Sequence, residues 1–212
     1  GTLRRVLADF AGQAWVLHDG RSWRRDVLAA YKEGRDATPE AQALRDRWKA
    51  AKPLVARLLR PLGVHQFVAG NLEADDLAAR MTRLHHKAGR EVTLVTGDKD
   101  WLQLIRPGVR VFNPIKERLV TAENFAEMTG LPHPKAIAER KALCGKTQEM
   151  PGVGGIGEKT ADEILKGWGS VDGFLNACLA SPEERGKAPR RALALLDDPA
   201  KRAAFERNMA LA

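Results

Sequence analysis

Glu73-Ala74-Asp75-Asp76 and Thr96-Gly97-Asp98-Lys99-Asp100 put five carboxylates into two tight groups, in a chain whose net charge is +8. Like charges at that density repel one another, and crowding or burying an unpaired carboxylate is costly. A fold keeps such a cluster mainly where a divalent cation neutralises it, so residue type and spacing point to a metal site. The plainer alternative is that Asp75 and Asp76 only compensate a helix N-terminus. It leaves Asp98 and Asp100 unexplained as a pair.

Hydrophobic patterning predicts the elements that must position these acids. Strands are expected over residues 14–20, 64–69, 92–96 and 109–113, with a short one over 118–121. A helix is expected over 40–62, with Thr38 as N-cap and Pro39 in its first position. A second helix over 75–88 has Leu77, Met81 and Leu84 on one face and stops at Gly89. Strands alternating with helices predict an α/β fold with a mostly parallel sheet flanked by helices. Ligands gather at the carboxyl ends of such strands. Asp19 follows the first strand, Glu73, Asp75 and Asp76 the second, and Asp98 and Asp100 the third. Three consecutive strands thus deliver acids to one edge.

The chain of 212 residues is 44% hydrophobic and 29% charged, which fits a globular domain with a core of its own. No apolar run approaches the roughly 18 residues a membrane span needs, and no signal peptide opens the chain. Cys144 and Cys178 stand alone, without CxxC spacing, which argues against zinc and for reduced thiols in a cytoplasmic protein. Lys and Arg outnumber Asp and Glu by 13 to 7 over residues 1–70, match them at 9 each over 71–131, and exceed them by 13 to 11 over 132–212. Basic ends around a neutral, acid-bearing middle suit a polyanion held over a metal centre. A solvated basic surface is the alternative.

After residue 131 the pattern is all-helical. A helix over 134–144 precedes Pro151-Gly152-Val153-Gly154-Gly155-Ile156-Gly157-Glu158-Lys159-Thr160-Ala161, which opens a helix running to Lys166. Glycines between two helices, with Lys159 just inside the second, fit a clamp on a phosphate backbone. An ordinary tight interhelical turn is the alternative. Residues 180–212 are Ala- and Arg-rich and expected to be helical, punctuated by Pro182, Pro189 and Pro199.

The two acidic groups and the glycine turn, in this order, resemble three motifs of the 5′-nuclease superfamily. These are the bacterial and phage 5′–3′ exonucleases and flap endonucleases built on a PIN-like domain. His18-Asp19-Gly20 and Tyr31-Lys32-Glu33-Gly34-Arg35 resemble two more, so the resemblance spans about residues 14–178. It implies a structure-specific nuclease acting on duplex DNA with a 5′ single-stranded flap or end. By that resemblance Asp19, Glu73 and Asp75 bind one Mg²⁺ or Mn²⁺, with Asp76 in the same acidic shell, and Asp98 and Asp100 help bind a second. Lys32 and Arg35 engage the scissile phosphate, where a solvated turn is the plainer alternative. The glycine turn becomes a helix-hairpin-helix in which Gly152, Val153, Gly155, Ile156, Gly157, Lys159 and Thr160 grip the duplex. Main-chain carbonyls of Val153 and Ile156 hold K⁺.

Two departures matter. The family opens with a strand ending in a further acid, whereas this chain reads as if already inside the first helix, as though an N-terminal strand were missing. Family members also place two aspartates before the hairpin proline. Here Gly145-Lys146-Thr147-Gln148-Glu149-Met150 keeps only Glu149 as an acid, and Lys146 could ion-pair with Asp98 or Asp100 and displace the second cation. Similar loss marks the short exonuclease IX type. The expected organisation is a PIN-like core over 1–131, the helix-hairpin-helix over 132–180, and C-terminal helices over 181–212 packing back on the core. The leading expectation is a monomeric nuclease, with a DNA polymerase as a partner. A DNA-binding relative with an impaired second metal site is the alternative. An RNA-cleaving PIN ribonuclease would share the acids but not need the glycine hairpin.

Overall fold

Thr38 starts the longest helix as expected: its side chain accepts a hydrogen bond from the Ala41 amide at 3.2 Å, and Pro39 follows in the first turn. In the computed structural model, which describes residues 2–10, 12–29, 31, 38–146 and 150–212, helix α1 (Thr2–Asp9) precedes strand β1 (Trp15–His18). A short helix α2 (Arg24–Val27) and the long α3 (Pro39–Leu59) lead to β2 (His65–Val68). Then come α4 (Ala74–Lys87), β3 (Val92–Val95), a 3₁₀ segment (Lys99–Leu104), β4 (Val109–Asn113) and β5 (Arg118–Val120).

β1 pairs parallel with β2, and β3 parallel with β4, while β5 returns antiparallel on β4. The predicted mostly parallel sheet is therefore present as two hydrogen-bonded sheets among the described residues, β1-β2 and β3-β4-β5. Helix α4 packs on both β1 and β3.

The face α4 uses differs from the one expected. Ala78 and Thr82 are buried, but Leu84 is 61% exposed. Small side chains one turn apart let the helix lie close on the strands, whereas Leu84 falls outside that stripe. His85 continues the contact, its ring 4.4 Å from that of Trp15 on β1.

The second half is helical: α5 (Phe125–Thr129), α6 (Lys135–Cys144), α7 (Glu158–Trp168), α8 (Val171–Ala180), α9 (Pro182–Lys187), α10 (Ala194–Asp197) and α11 (Pro199–Leu211). It is not purely so. Two-residue strands β6 (Gly145–Lys146) and β7 (Met150–Pro151) pair antiparallel at the end of α6. Gly152 follows this ladder because its backbone crosses the α6 terminus. A β-carbon there would overlap the carbonyls of Leu143 and Cys144. Pro182 and Pro199 each sit in a helical first turn, where no N–H is needed.

The main core joins β3–β5 to this helical half. Leu94, Val109, Val111 and Val120 pack with Leu143, Ile164, Leu165, Phe174, Leu195 and Phe205 in one cluster. Burial of this kind is the principal stabilising contribution. Helix α11 closes it by packing along α6. Its Asn208 is fully buried and spends both amide protons on main-chain carbonyls, Ala142 at 2.9 Å and Pro151 at 2.8 Å. Asn208→Ala should leave two carbonyls without these donors and cost about 2–3 kcal/mol. Urea unfolding of the full chain measures this; a midpoint equal to that of the parent would contradict the assignment.

Candidate active site

The acids converge because backbone geometry at two loops draws them together. Asp19 leaves β1 and is followed by Gly20, whose amide donates to the Leu72 carbonyl at 2.9 Å. A β-carbon at Gly20 would overlap the Ala69 carbonyl, so only glycine permits this approach of the β1 end to the β2–α4 loop. As a result Asp19 Oδ1 accepts from the Ala74 amide at 2.8 Å, beside the first acidic group. The second group is tied to the first by an indole. Trp101 Nε1 donates to Asp75 Oδ1 at 2.7 Å. Asp19 is thus linked to the start of α4, and Asp75 to the segment that carries Asp98 and Asp100.

They do not form a ready-made coordination group. Among the described residues, no three acidic, histidine or cysteine side chains stand as a set that could hold a metal ion. Protein cations and amides occupy several of the carboxylates. Arg24, with its side chain 9% exposed, forks onto Asp76: Nη1 to Oδ2 and Nη2 to Oδ1, both 2.9 Å. Its Nη1 also reaches Glu73 Oε2 at 3.2 Å, and its Nε donates to the Leu211 carbonyl at 2.8 Å. Tyr31 donates to the same Glu73 oxygen at 3.2 Å. Asp76 also accepts from the Glu73 amide at 3.0 Å, so it caps α4 as well as pairing with Arg24.

At the second group Asp98 Oδ1 accepts from the Asp100 amide at 2.9 Å, starting the 3₁₀ segment. Asp100 Oδ2 pairs with Lys141 Nζ of α6 at 2.7 Å. A lysine that the sequence did not single out, Lys141, therefore opposes the second group. The side chain of Lys146 lies outside the described residues, as do Lys32, Arg35 and Glu149 entirely. A cleft of about 550 Å³ runs between the second group and α6, walled by Asp98, Asp100, Arg140, Lys141 and Glu158.

Burial alone would raise the Asp76 pKa. The Arg24 hydrogen bonds and charge, with help from the Glu73 amide and Trp23, outweigh it and hold the carboxyl below its ordinary value of 3.8. Burial would likewise lower the Arg24 pKa, but Asp76 first, then Tyr31 and Glu73, hold the guanidinium above its ordinary value. Cys144 is pushed up to about 11 by burial and stays a thiol.

The glycine turn lies between α6 and α7. Val153 and Ile156 point their side chains into the core, 6% and 4% exposed, and so anchor the turn. The Val153 amide donates to the Leu143 carbonyl at 3.0 Å. Gly157 immediately precedes α7, with Lys159 and Thr160 in that helix's first turn. Sequence patterning missed Arg24, Trp101 and Lys141. No motif marks Arg24 or Lys141, whereas the position of Trp101, directly after Asp100, was a usable signal.

With this geometry in view, the first 130 residues match the model of the 5′–3′ exonuclease N-terminal resolvase-like domain. The chain belongs to that family. It is 38% identical over 177 residues to the thermostable DNA polymerase I of Thermus filiformis, covering 82% of this chain and 20% of that protein. It is 33% identical over 168 residues to the flap endonuclease Xni of Serratia proteamaculans, covering 78% of this chain and 64% of that one. The chain thus spans about a fifth of the polymerase relatives it matches. Among solved structures, the T5 5′-exonuclease with zinc bound superposes with a TM-score of 0.80 at 25% identity, covering 99% of this chain and 78% of that one. The fold is the α/β, PIN-like fold of that nuclease.

Arg24→Met should leave Glu73 and Asp76 buried without their counter-ion and destabilise the chain by about 3–5 kcal/mol. The pH dependence has a defined sign. Asp76 has a depressed folded pKa, so its contribution is full above about pH 3.8 and is lost as pH falls through its folded value. In Arg24→Met burial of the Asp76 carboxyl is no longer offset by the guanidinium, so the variant regains stability on acidification. Urea unfolding in chelator at neutral pH and near pH 4.5 checks this; a gap between parent and variant that fails to narrow contradicts the pairing.

Proposed function

We propose that this chain is a structure-specific, divalent-metal-dependent 5′ nuclease that hydrolyses phosphodiesters at 5′ ends or flaps of branched DNA. The observation that carries this reading is the Trp101–Asp75 hydrogen bond at 2.7 Å. With Asp19 bound to the Ala74 amide, it gathers acids from three strand ends at one edge. The names of its relatives, a flap endonuclease and a 5′-exonuclease with zinc bound, support the same reaction class.

The donor set suits a hard divalent cation, because Asp19 and Asp98 offer carboxylate oxygens on the exposed side of that edge. Asp19, Glu73 and Asp75 would hold one Mg²⁺ or Mn²⁺, with Asp76 adjoining; Asp98 and Asp100, with Glu149, would serve a second. Arg24 and Lys141 already supply two positive charges to this group. One charge falls on each group, Arg24 on Glu73 and Asp76 and Lys141 on Asp100. When bound, a divalent ion lowers the pKa of a water and polarises the phosphoryl oxygen. Lys32 and Arg35 would neutralise charge that grows on the scissile phosphate.

The glycine turn would carry the duplex through Gly152, Val153, Gly155, Ile156, Gly157, Lys159 and Thr160, with K⁺ on the carbonyls of Val153 and Ile156. Localisation in the cytoplasm fits the two free cysteines, and no helix among the described residues is long and apolar enough to cross a membrane. A monomer working with a DNA polymerase completes the reading.

One observation favours the second reading, a DNA-binding relative without cleavage: Glu73, Asp76 and Asp100 are all paired with protein cations. Cleavage of a 5′-labelled flap substrate, with Mg²⁺ and with chelator, separates the two. The nuclease reading expects Mg²⁺-dependent product. Asp98→Asn should reduce that product on the order of 10- to 100-fold while leaving substrate affinity nearly unchanged. Tight flap binding with no Mg²⁺-dependent product would establish the binding module instead.

A further inference from the structure

Val153-Gly154-Gly155-Ile156-Gly157, the tip of the α6–α7 turn, carries no charged side chain. Its two central glycines take φ values of +79° and +78°, so no ordinary side chain is readily accommodated there. A cation nevertheless stands at the tip. Lys201, in the first turn of α11, donates its ammonium to the exposed Gly154 carbonyl at 2.8 Å. A β-carbon built on Gly155 would lie 3.6 Å from that nitrogen. Helix α11 holds this placement from both ends of the contact. Asp198 caps it, accepting from the Ala200 amide at 2.9 Å, and buried Asn208 fixes it to Ala142 and Pro151.

We propose that Lys201 is a phosphate-contact residue of the α6–α7 turn, supplying from α11 the cation that the glycine tip lacks. The proposal rests on the DNA reading above. An ammonium carries three donors, and Gly154 takes one of them. The others are available to a backbone phosphate, which the bare glycines allow to come close. Without Lys201, the Gly154 carbonyl would present partial negative charge to that phosphate. Glu158 and Asp162 nearby share one cation, and Asp198 accepts from a backbone amide. Arg140 Nη2 pairs with Glu158 at 2.8 Å, and its Nε lies 3.0 Å from Asp162, an ion pair not aligned as a hydrogen bond. Lys201 thus brings a positive charge to a tip whose own residues are neutral.

The test is fluorescence anisotropy of a labelled blunt DNA duplex with the full chain, across a KCl series, for the parent, Lys201→Gln and Lys201→Arg. Glutamine keeps an N–H for Gly154 but removes the charge. It should flatten the slope of log affinity against log salt by about 0.9, the value of one phosphate contact. That slope corresponds to about eightfold weaker binding near 0.1 M salt if affinity at about 1 M is unchanged. Arginine should keep the parent slope. If glutamine keeps the parent slope and affinity, Lys201 only latches α11 to the turn and the proposal fails while the DNA reading stands. If arginine falls as far as glutamine, charge is not what matters and the proposal again fails. A parent with no salt-dependent duplex binding overturns the DNA reading itself.

Discussion

A guanidinium can be buried only where its protons find acceptors, because stripping it of water costs several kcal/mol. Arg24 meets that condition by recruiting parts of the chain that are remote in sequence. Asp76 and Glu73 come from the start of α4, and the Leu211 carbonyl comes from the end of α11. The planar fork of arginine suits this arrangement, since two nitrogens match the two oxygens of Asp76. Lysine at this position could not reproduce the fork. Among the described residues, the N-terminal half has few other long-range ion pairs of comparable burial. Its α3 leaves Leu44, Trp48, Leu54 and Leu58 more than half exposed, so hydrophobic burial contributes less there than among β3–β5 and α6–α8.

The same ion pairs set the chemistry of the acidic edge. Six carboxylates close together would repel in proportion to their number. Arg24 and Lys141 reduce that repulsion from inside the protein, while Trp101, Ala74 and Asp100 contribute neutral N–H donors. The acids can therefore persist at one edge before any divalent ion arrives. The charge left for such an ion is correspondingly smaller than a count of the acids suggests. An external cation would have to compete with these protein counter-ions for the same oxygens.

Elements were legible in the sequence where a local rule governs them. Thr38-Pro39 starts α3 because capping and proline placement are decided within one turn, and Pro182 and Pro199 start their helices for the same reason. Legibility failed where the deciding partner is distant. Leu84 looked like a core residue by spacing, but the closeness of β1 and β3 selects Ala78 and Thr82 instead. The lysine expected opposite the second acidic group was Lys146, whose side chain lies outside the described residues. Lys141 went unforeseen beside Asp100 because α6 lies along the 3₁₀ segment, a packing relation with no local signature. Arg24 was invisible for the same reason, since its acceptors lie 49, 52 and 187 residues away.

Helix α11 makes these distant relations into one mechanical unit. Its first turn touches the glycine tip through Lys201, its middle fixes the α6 terminus and β7 through Asn208, and its last turn accepts from Arg24 through the Leu211 carbonyl. Ten residues of helix separate Lys201 from Leu211, which is about 15 Å of rigid rod. The glycine tip is thereby held at a set distance from the residue that organises the acids. Because the Arg24 contact is to a main-chain carbonyl, it depends on the helix persisting to its end rather than on which side chain stands at position 211. Fraying of that last turn would remove an acceptor from a buried guanidinium and loosen the acidic edge as well as the grip on the turn. The C-terminal helix is thus part of the site's geometry although it carries none of the acids.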